Sequence, residues 1–312
     1  MGISSKSYKD TVRPQYPFVQ YDKNRDPLSV LIIGNGFDLD LGMHTTYSDF
    51  AKSNFWPFKT PKRDSGLGKY LNTIRETERW LDLENELARY ARYVKSSKPL
   101  DENTINKDKQ DLNDLIASLR RYLHSEEIKL NDTGETCKAK DILNSLVNRH
   151  NYFIHSFNYT NVKFISEVLN LRLDKNRIEY IHGTLEGNDI ILGAGDNTEL
   201  PNEYDWLYKT SNKNYSSNNL ADSLANADEI CIFGHSLGEN DFDYFKPFFK
   251  RISQDIDLTY HNPMTDRRIK VTIYTKDEAS EIAIKRQLRK LTDNHLQGIY
   301  ANCDFKIEYT KP

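Results

Sequence analysis

Five short strings in the chain hold residue types that can act on a polar small molecule. Gly34-Asn35-Gly36-Phe37-Asp38 directly follows an apolar run. A strand-to-helix turn that meets a phosphate needs backbone with no Cβ in the way, which glycine provides. The string is a GxG without the third glycine of the dinucleotide fingerprint, so a tight turn with no ligand explains it equally well. Asp38 and Asp40 can accept from ribose hydroxyls or cap the next helix. Asn158, in Phe157-Asn158-Tyr159-Thr160, ends a second apolar run and either points into a ligand crevice or caps a helix. Ile181-His182-Gly183 puts a histidine at a third such end, fit for general-base work or a ribose contact, or for a structural place.

Phe233-Gly234-His235-Ser236-Leu237-Gly238-Glu239-Asn240-Asp241 admits two chemistries. Gly234, His235, Ser236 and Asp241 can hold a second phosphate or ribose. The same letters fit the GxSxG nucleophile elbow, with Ser236 as nucleophile and Asp266 or Asp277 with His295 completing the order Ser, Asp, His. No HGGG-type oxyanion string accompanies them. The fifth string is Trp80-Leu81-Asp82-Leu83-Glu84, where Glu84 shares a helix face with Trp80, Leu87 and Ala91. Its carboxylate is either functional or paired with an arginine, whereas Asp82 and Glu86 suit a solvated helix edge.

The elements that position these strings read as α/β. Ser29 to Asp38 reads as a buried strand running into a glycine turn, and Tyr152–Phe157, Ile178–Ile181, Glu229–Phe233 and Ile269–Tyr274 read as further strands. Short continuous apolar runs between polar or helical stretches are the pattern of βαβ units with a parallel sheet. DFKIEY near the end predicts an edge strand. Between the first two strands Leu67, Tyr70, Leu71, Ile74, Leu81, Leu87, Tyr90 and Val94 recur at helical spacing, predicting a helical insertion over about residues 55–150 above the carboxyl edge of the sheet. Residues 1–27 read as a polar arm, 28–312 as a single Rossmann-like domain, and Asp196–Asn219 as a long loop with a short helical turn, able to act as a lid.

Composition narrows the function classes. Lys+Arg 43 against Asp+Glu 46 leaves a net charge of −3, no footprint for sequence-independent nucleic-acid binding. With a mean hydropathy of −0.73 and no apolar run near the roughly 20 residues of a membrane helix, a soluble, cytoplasmic protein without a membrane partner is expected. The three cysteines show neither disulfide nor metal spacing, so no metal is expected.

Leu-Ile-Ile-Gly-Asn-Gly-Phe-Asp-Leu, Thr45-Thr46-Tyr47, Trp80-Leu-Asp-Leu-Glu84, Phe157-Asn-Tyr-Thr160, Ile181-His-Gly183 and Gly234-His-Ser-Leu-Gly-Glu-Asn-Asp241, in this order, resemble the AbiH family, a bacterial group associated with phage abortive infection. The likeness runs from about Val30 to Asp243. The order of glycine loop, strand-end Asn, His-Gly and Gly-x-Ser is also distantly similar to the sirtuin-like fold, whose members in phage defence bind NAD and in several cases hydrolyse it. That resemblance implies a Rossmann-like, sirtuin-like sheet with NAD as ligand or substrate and no metal. It implies Asn158 and His182 as the catalytic pair at the nicotinamide ribose. Gly34, Asn35, Gly36 and Asp38 would form one wall of the pocket, and Gly234, His235, Ser236 and Asp241 the other, with Glu84 a further candidate. Gly-Asn-Gly-Phe replaces the sirtuin GAG loop, the four-cysteine zinc module is absent, and the insertion does not resemble the sirtuin small domain. The expectation is an abortive-infection effector that consumes NAD, answering to a phage-derived trigger or host partner, with a homo-oligomer left open. A nucleotide-sensing module that binds a partner without catalysis, or a serine hydrolase using Ser236, are the alternatives.

Overall fold

The computed structural model describes residues 26–59, 66–76, 82–97, 101–131, 136–254, 261–262 and 267–310. Trp80, Asp266 and nearly all of the N-terminal arm lie outside these residues. The first strand, β1 (Ser29–Ile33), is buried at every position, as a central strand of a parallel sheet must be. It is followed by α1 (Asn35–Asp40), α2 (Tyr47–Lys52), α3 (Leu67–Glu76), α4 (Leu83–Ser97), α5 (Glu102–Lys129) and α6 (Lys138–Val147), and only then by β2 (Tyr152–Ser156). After it come α7 (Val162–Val168), β3 (Ile178–Tyr180), α8 (Leu220–Asn226), β4 (Glu229–Phe233) and α9 (Phe242–Gln254). A short antiparallel ribbon, β5 (His261–Asn262) with β6 (Arg267–Arg268), precedes β7 (Lys270–Thr275), α10 (Glu278–Leu291), α11 (Leu296–Asn302) and β8 (Asp304–Tyr309).

The main sheet has the order β3-β2-β1-β4-β7-β8, with every pairing parallel. Setting the ribbon aside, this is the strand order of the doubly wound α/β sheet, whose switch point lies between β1 and β4. Alternation along the strands divides the core. Val30, Ile32, Ile230, Ile232, Val271 and Ile273 face α8, α9, α10 and α11. Leu31, Ile33, Ile154 and Phe233 face α1, α6 and α7. Each fully buried Leu or Ile contributes about 1.5–3 kcal/mol relative to exposure, which fixes the register, since a slip of one residue would exchange the two faces.

A third cluster belongs to the helices between β1 and β2. Leu67, Leu71, Leu83, Leu87, Leu115 and Leu119 pack together with Tyr159, Ile190 and Tyr204 from the segments beyond β2 and β3. The insertion therefore sits against the carboxyl edge of the sheet. Two buried aspartates of α5 tie it together. Leu67 N donates to Asp108 Oδ1 (2.9 Å) and Gly68 N to Asp111 Oδ2 (2.8 Å), so α5 caps the start of α3. Tyr90 and Tyr204 also donate to Asp108, joining α4 to the segment after β3.

Several boundaries differ from the sequence reading. The first strand stops at Ile33, and the helix opens at Asn35, so a single residue, Gly34, makes the turn. The final strand is at the sheet edge as expected. The stretch read as a long loop or lid is packed instead. It contains 3₁₀ turns at Asn202–Leu207 and Lys209–Ser211, with Tyr204 fully buried and Ala194 N donating to Leu207 O.

The switch point owes its closeness to glycine. Gly36 N donates to Gly234 O (3.0 Å). A Cβ on Gly36 would stand 2.6 Å from Gly234 Cα, and one on Gly34 would stand 2.5 Å from His235 Cα. Gly234 also has φ +63°, in the left-handed region. The Gly234→Ala variant should therefore lose about 3 kcal/mol or more, from overpacking against backbone together with left-handed strain. Urea denaturation checks this, and an unchanged midpoint would refute the backbone-on-backbone account.

Candidate functional site

Four strand ends meet beneath the insertion around a cavity of about 350 Å³. Gly34 follows β1, Phe157 and Asn158 follow β2, His182 follows β3, and Gly234 and His235 follow β4. Across from them stand Asp82 and Glu84 at the start of α4, Leu119 and Leu123 of α5, and Tyr47 of α2. Asn35, Asp38, Ser236 and Asp241 also line the cavity, whereas Gly36 does not.

At one end a buried cation organises the acids. Lys209 is 3 % exposed. Its Nζ lies 3.1 Å from Glu84 Oε2 and 2.9 Å from Asp241 Oδ1, and 3.3 Å from His182 Nε2. An ammonium has three donors and no acceptor. With His182 Nε2 unprotonated, all three are satisfied, and the ring proton sits on Nδ1. The 3.4 Å approach of Nε2 to Asp241 is then a contact rather than a hydrogen bond. His235 is fixed differently. Leu237 N donates to its Nδ1 (3.0 Å), so the proton is on Nε2, which faces Asp241 Oδ2 at 3.3 Å.

Burial and neighbours set the proton affinities. Burial pushes the Glu84 carboxyl up to about 8, against the pull of Lys209 and with the help of Asp241 and Asp82. Burial, reinforced by Lys209, drives His182 down to about 4, so its imidazole is neutral at pH 7. For Asp241 burial alone would raise the pKa, but the Lys209 ammonium, together with the His235 Nε2–H, holds the carboxylate well below its usual range. Lys209 is displaced upward: burial opposes its charge, and Glu84 and Asp241 more than restore it.

The other end rests on Asp38, 1 % exposed. Asn158 Nδ2 donates to Asp38 Oδ1 (2.9 Å) and to Gly34 O (3.0 Å), and the Thr160 hydroxyl donates to the same carboxyl. The Asn158 amide is thus oriented, with both N–H groups engaged and its oxygen left to accept. Burial pushes Asp38 up to about 7, against the hydrogen bonds from Thr160 and Asn158.

The structure brings together ten of the eleven residues singled out in the sequence and changes the setting of several. Asp38 braces Asn158 and Thr160, and Asp40 accepts from Ala139 N (2.8 Å) at the start of α6 rather than capping the next helix. Asn158 is not a helix cap, since Asn161 caps α7 by accepting from Phe164 N. Glu84 is paired with a lysine, not an arginine. Asp82, half-buried, accepts from Asn85 N at the start of α4 and lines the cavity, whereas Glu86 is buried and accepts from the Tyr70 hydroxyl, so Glu86 is no solvated edge. Lys209 escaped sequence reading altogether. Its one signal was its place directly after the aromatic run Tyr204-Asp-Trp-Leu-Tyr208, in an irregular segment. No group of three or more His, Cys, Asp or Glu among the described residues is arranged to hold a metal ion.

The nucleophile-elbow reading finds no support in the geometry. After β4 the left-handed residues are Gly234 and Leu237, not Ser236, and no regular helix begins until α9 at Phe242. Asp277 caps α10, and His295 contacts Thr292 O; neither lines the cavity.

Residues 30–262 match the family described as Bacteriophage abortive infection AbiH. No curated protein and no solved structure matches the chain. No helix among the described residues is long and apolar enough to cross a membrane.

Two outcomes follow from this geometry. A fluorophosphonate probe should leave Ser236 unlabelled, and covalent labelling seen by mass spectrometry would restore the serine-hydrolase reading. The second concerns Asp38, whose folded pKa of about 7 lies above the ordinary 3.8. Between those values the folded state holds a proton that the unfolded state has released, so the stability this carboxyl contributes is present at low pH and lost as pH rises through 7. The stability of the native chain relative to Asp38→Asn should fall by about 1.4 kcal/mol per pH unit between about 4 and 7. Urea titrations at four pH values test this, and a constant difference would refute it.

Proposed function

We propose, for a chain that belongs to the bacteriophage abortive infection AbiH family, that its cavity binds the ribosyl end of a nucleotide and hydrolyses the N-glycosidic bond, with NAD as the first candidate substrate. The defence role comes with the family. The chemistry rests on one observation: Glu84, with a carboxyl near neutrality in pKa, faces the cavity beside neutral His182 and opposite the oriented Asn158.

Cleavage of an N-riboside passes through a state with positive charge on the ribose carbon and ring oxygen. Carboxyl groups near that carbon favour the charge, and a group with a pKa near the working pH can give or take a proton efficiently. In this reading ionised Glu84 takes a proton from the attacking water as the C1′–N bond breaks and nicotinamide leaves as the neutral base, and Asn158 Oδ1 accepts from that water or a ribose hydroxyl. With its Nε2 held by Lys209, His182 has its Nδ1–H left to donate to a ribose hydroxyl. Leu119, Leu123 and Phe157 keep bulk water from the reacting carbon. The doubly wound order, with a strand-end Asn, a His-Gly and a Gly-x-Ser around the crevice, supports the sirtuin-like comparison that suggests NAD.

Purified protein incubated with NAD should release nicotinamide, in the presence of a phage-derived activator where one is needed. Glu84→Gln, Asn158→Ala and His182→Ala should each lower turnover by about 10²- to 10⁴-fold while leaving the circular-dichroism spectrum intact. No turnover under any activating condition would sink the hydrolytic reading. Nucleotide binding that persists unchanged in His182→Ala would favour the sensing module instead.

A further inference from the structure

Which part of a nucleotide enters the cavity follows from what its walls offer. Phosphate cradles are made of backbone amides with no other partner, or of lysine and arginine side chains. In the two glycine loops the amides of Gly34, Gly36, Phe37, Gly234 and Leu237 are spent within the protein. Gly34 N donates to Phe233 O, Phe37 N to Gly34 O, Gly36 N to Gly234 O, and Gly234 N to Tyr274 O. Leu237 N donates to His235 Nδ1. The glycines bring two loops into contact, and the contact uses the amides of Gly34, Gly36 and Gly234 themselves.

The side chains point the same way. Among the described residues no lysine or arginine lines the cavity, while the carboxylates of Asp82 and Asp241 do, beside the carboxyls of Asp38 and Glu84 that burial holds near neutrality. Lys209, the cation nearest to it, has its three donors on Glu84, Asp241 and His182. Two further groups offer acceptors. Asn158 has both amide hydrogens engaged, and Thr45 gives its hydroxyl hydrogen to Asn35 Oδ1 (2.6 Å). Such walls suit a ligand rich in donors, neutral or cationic, and oppose an anion. At about 350 Å³ the cavity is also at the small end of the roughly 300–1,000 Å³ range of ligand pockets. That is room for a sugar and one ring, with Phe157, Leu119 and Leu123 to meet the ring.

We infer that the cavity takes an unphosphorylated N-riboside, a ribose bearing a single base, and discriminates against the same riboside carrying a 5′-phosphate. This rests on the ribosyl-pocket reading above and specifies its substrate class. A dinucleotide would enter only with its diphosphate outside the mouth, so NAD would bind no more tightly than nicotinamide riboside.

Calorimetry on the full chain with nicotinamide riboside, its 5′-monophosphate, NAD, adenosine and adenosine monophosphate tests this. The expected result is at least tenfold tighter binding of a riboside than of its 5′-phosphate. In Asp82→Asn the gap should shrink several-fold, because a carboxylate at the wall has been removed without a change of size. Equal or tighter binding of the phosphorylated forms overturns the inference while leaving the ribosyl pocket standing. A gap unchanged in Asp82→Asn overturns its electrostatic basis. Failure of every riboside and nucleotide to bind overturns the ribosyl-pocket reading itself, and the inference with it.

Discussion

The Lys209 ammonium is the contact on which the arrangement of the site depends. A charge taken so far from water costs several kcal/mol unless it is paired and hydrogen-bonded. Here the partners come from distant places: Glu84 from the start of α4, His182 from beyond β3, and Asp241 from the 3₁₀ turn after β4. Lys209 itself comes from the segment between β3 and β4. No one of these segments can satisfy the ammonium alone. The insertion, the strand ends and the connecting segment must dock together, and the cavity is the space they leave.

Two other buried carboxyls have a different task, and their hydrogen bonds tell them apart. Asp108 accepts from Leu67 N and from the hydroxyls of Tyr90 and Tyr204, so it fixes α4 relative to the turn that leads into Lys209. Asp38 accepts from Asn158 and Thr160 and holds the β2 end against α1. Both are filled by groups of the protein itself. Glu84, held by Lys209 at one oxygen, stands at the cavity wall, where a ligand can reach it. A carboxylate with its lone pairs occupied is scaffolding, and one facing an open space can do chemistry.

This difference also explains what the sequence made legible. Strands buried on both faces must be apolar throughout, so β1 and β4 could be read almost residue for residue. Asn158, His182 and Gly234 were visible because each follows such a run, and the ends of parallel strands converge on one crevice. The glycines were visible too, but their cause was not. A phosphate and a neighbouring backbone make the same demand on Cβ, and only the partner 200 residues away, Gly234, separates the two for Gly36. Lys209 was hidden for a related reason. Its burial comes from long-range packing of Tyr204 and Leu207 into the insertion, and no local period announces that in an irregular segment. Glu86 misled in the same way, since its burial depends on Tyr70 of α3.

Burial under the insertion also decides the charge the site carries. It raises Asp38 and Glu84 toward neutrality and lowers His182, so near pH 7 these groups tend to be uncharged while Asp241 and Lys209 remain a compensating pair. A fully ionised set would place several like charges within a few ångströms in a poorly screened space, which the fold could not tolerate. Protonation relieves that repulsion without removing the carboxyl groups. A cation forming in the cavity would change the balance, because ionising Glu84 would then be favoured by the new charge instead of opposed by Asp241 and Asp82. The feature that makes the site stable when empty thus gives it a reserve of negative charge, released when positive charge appears.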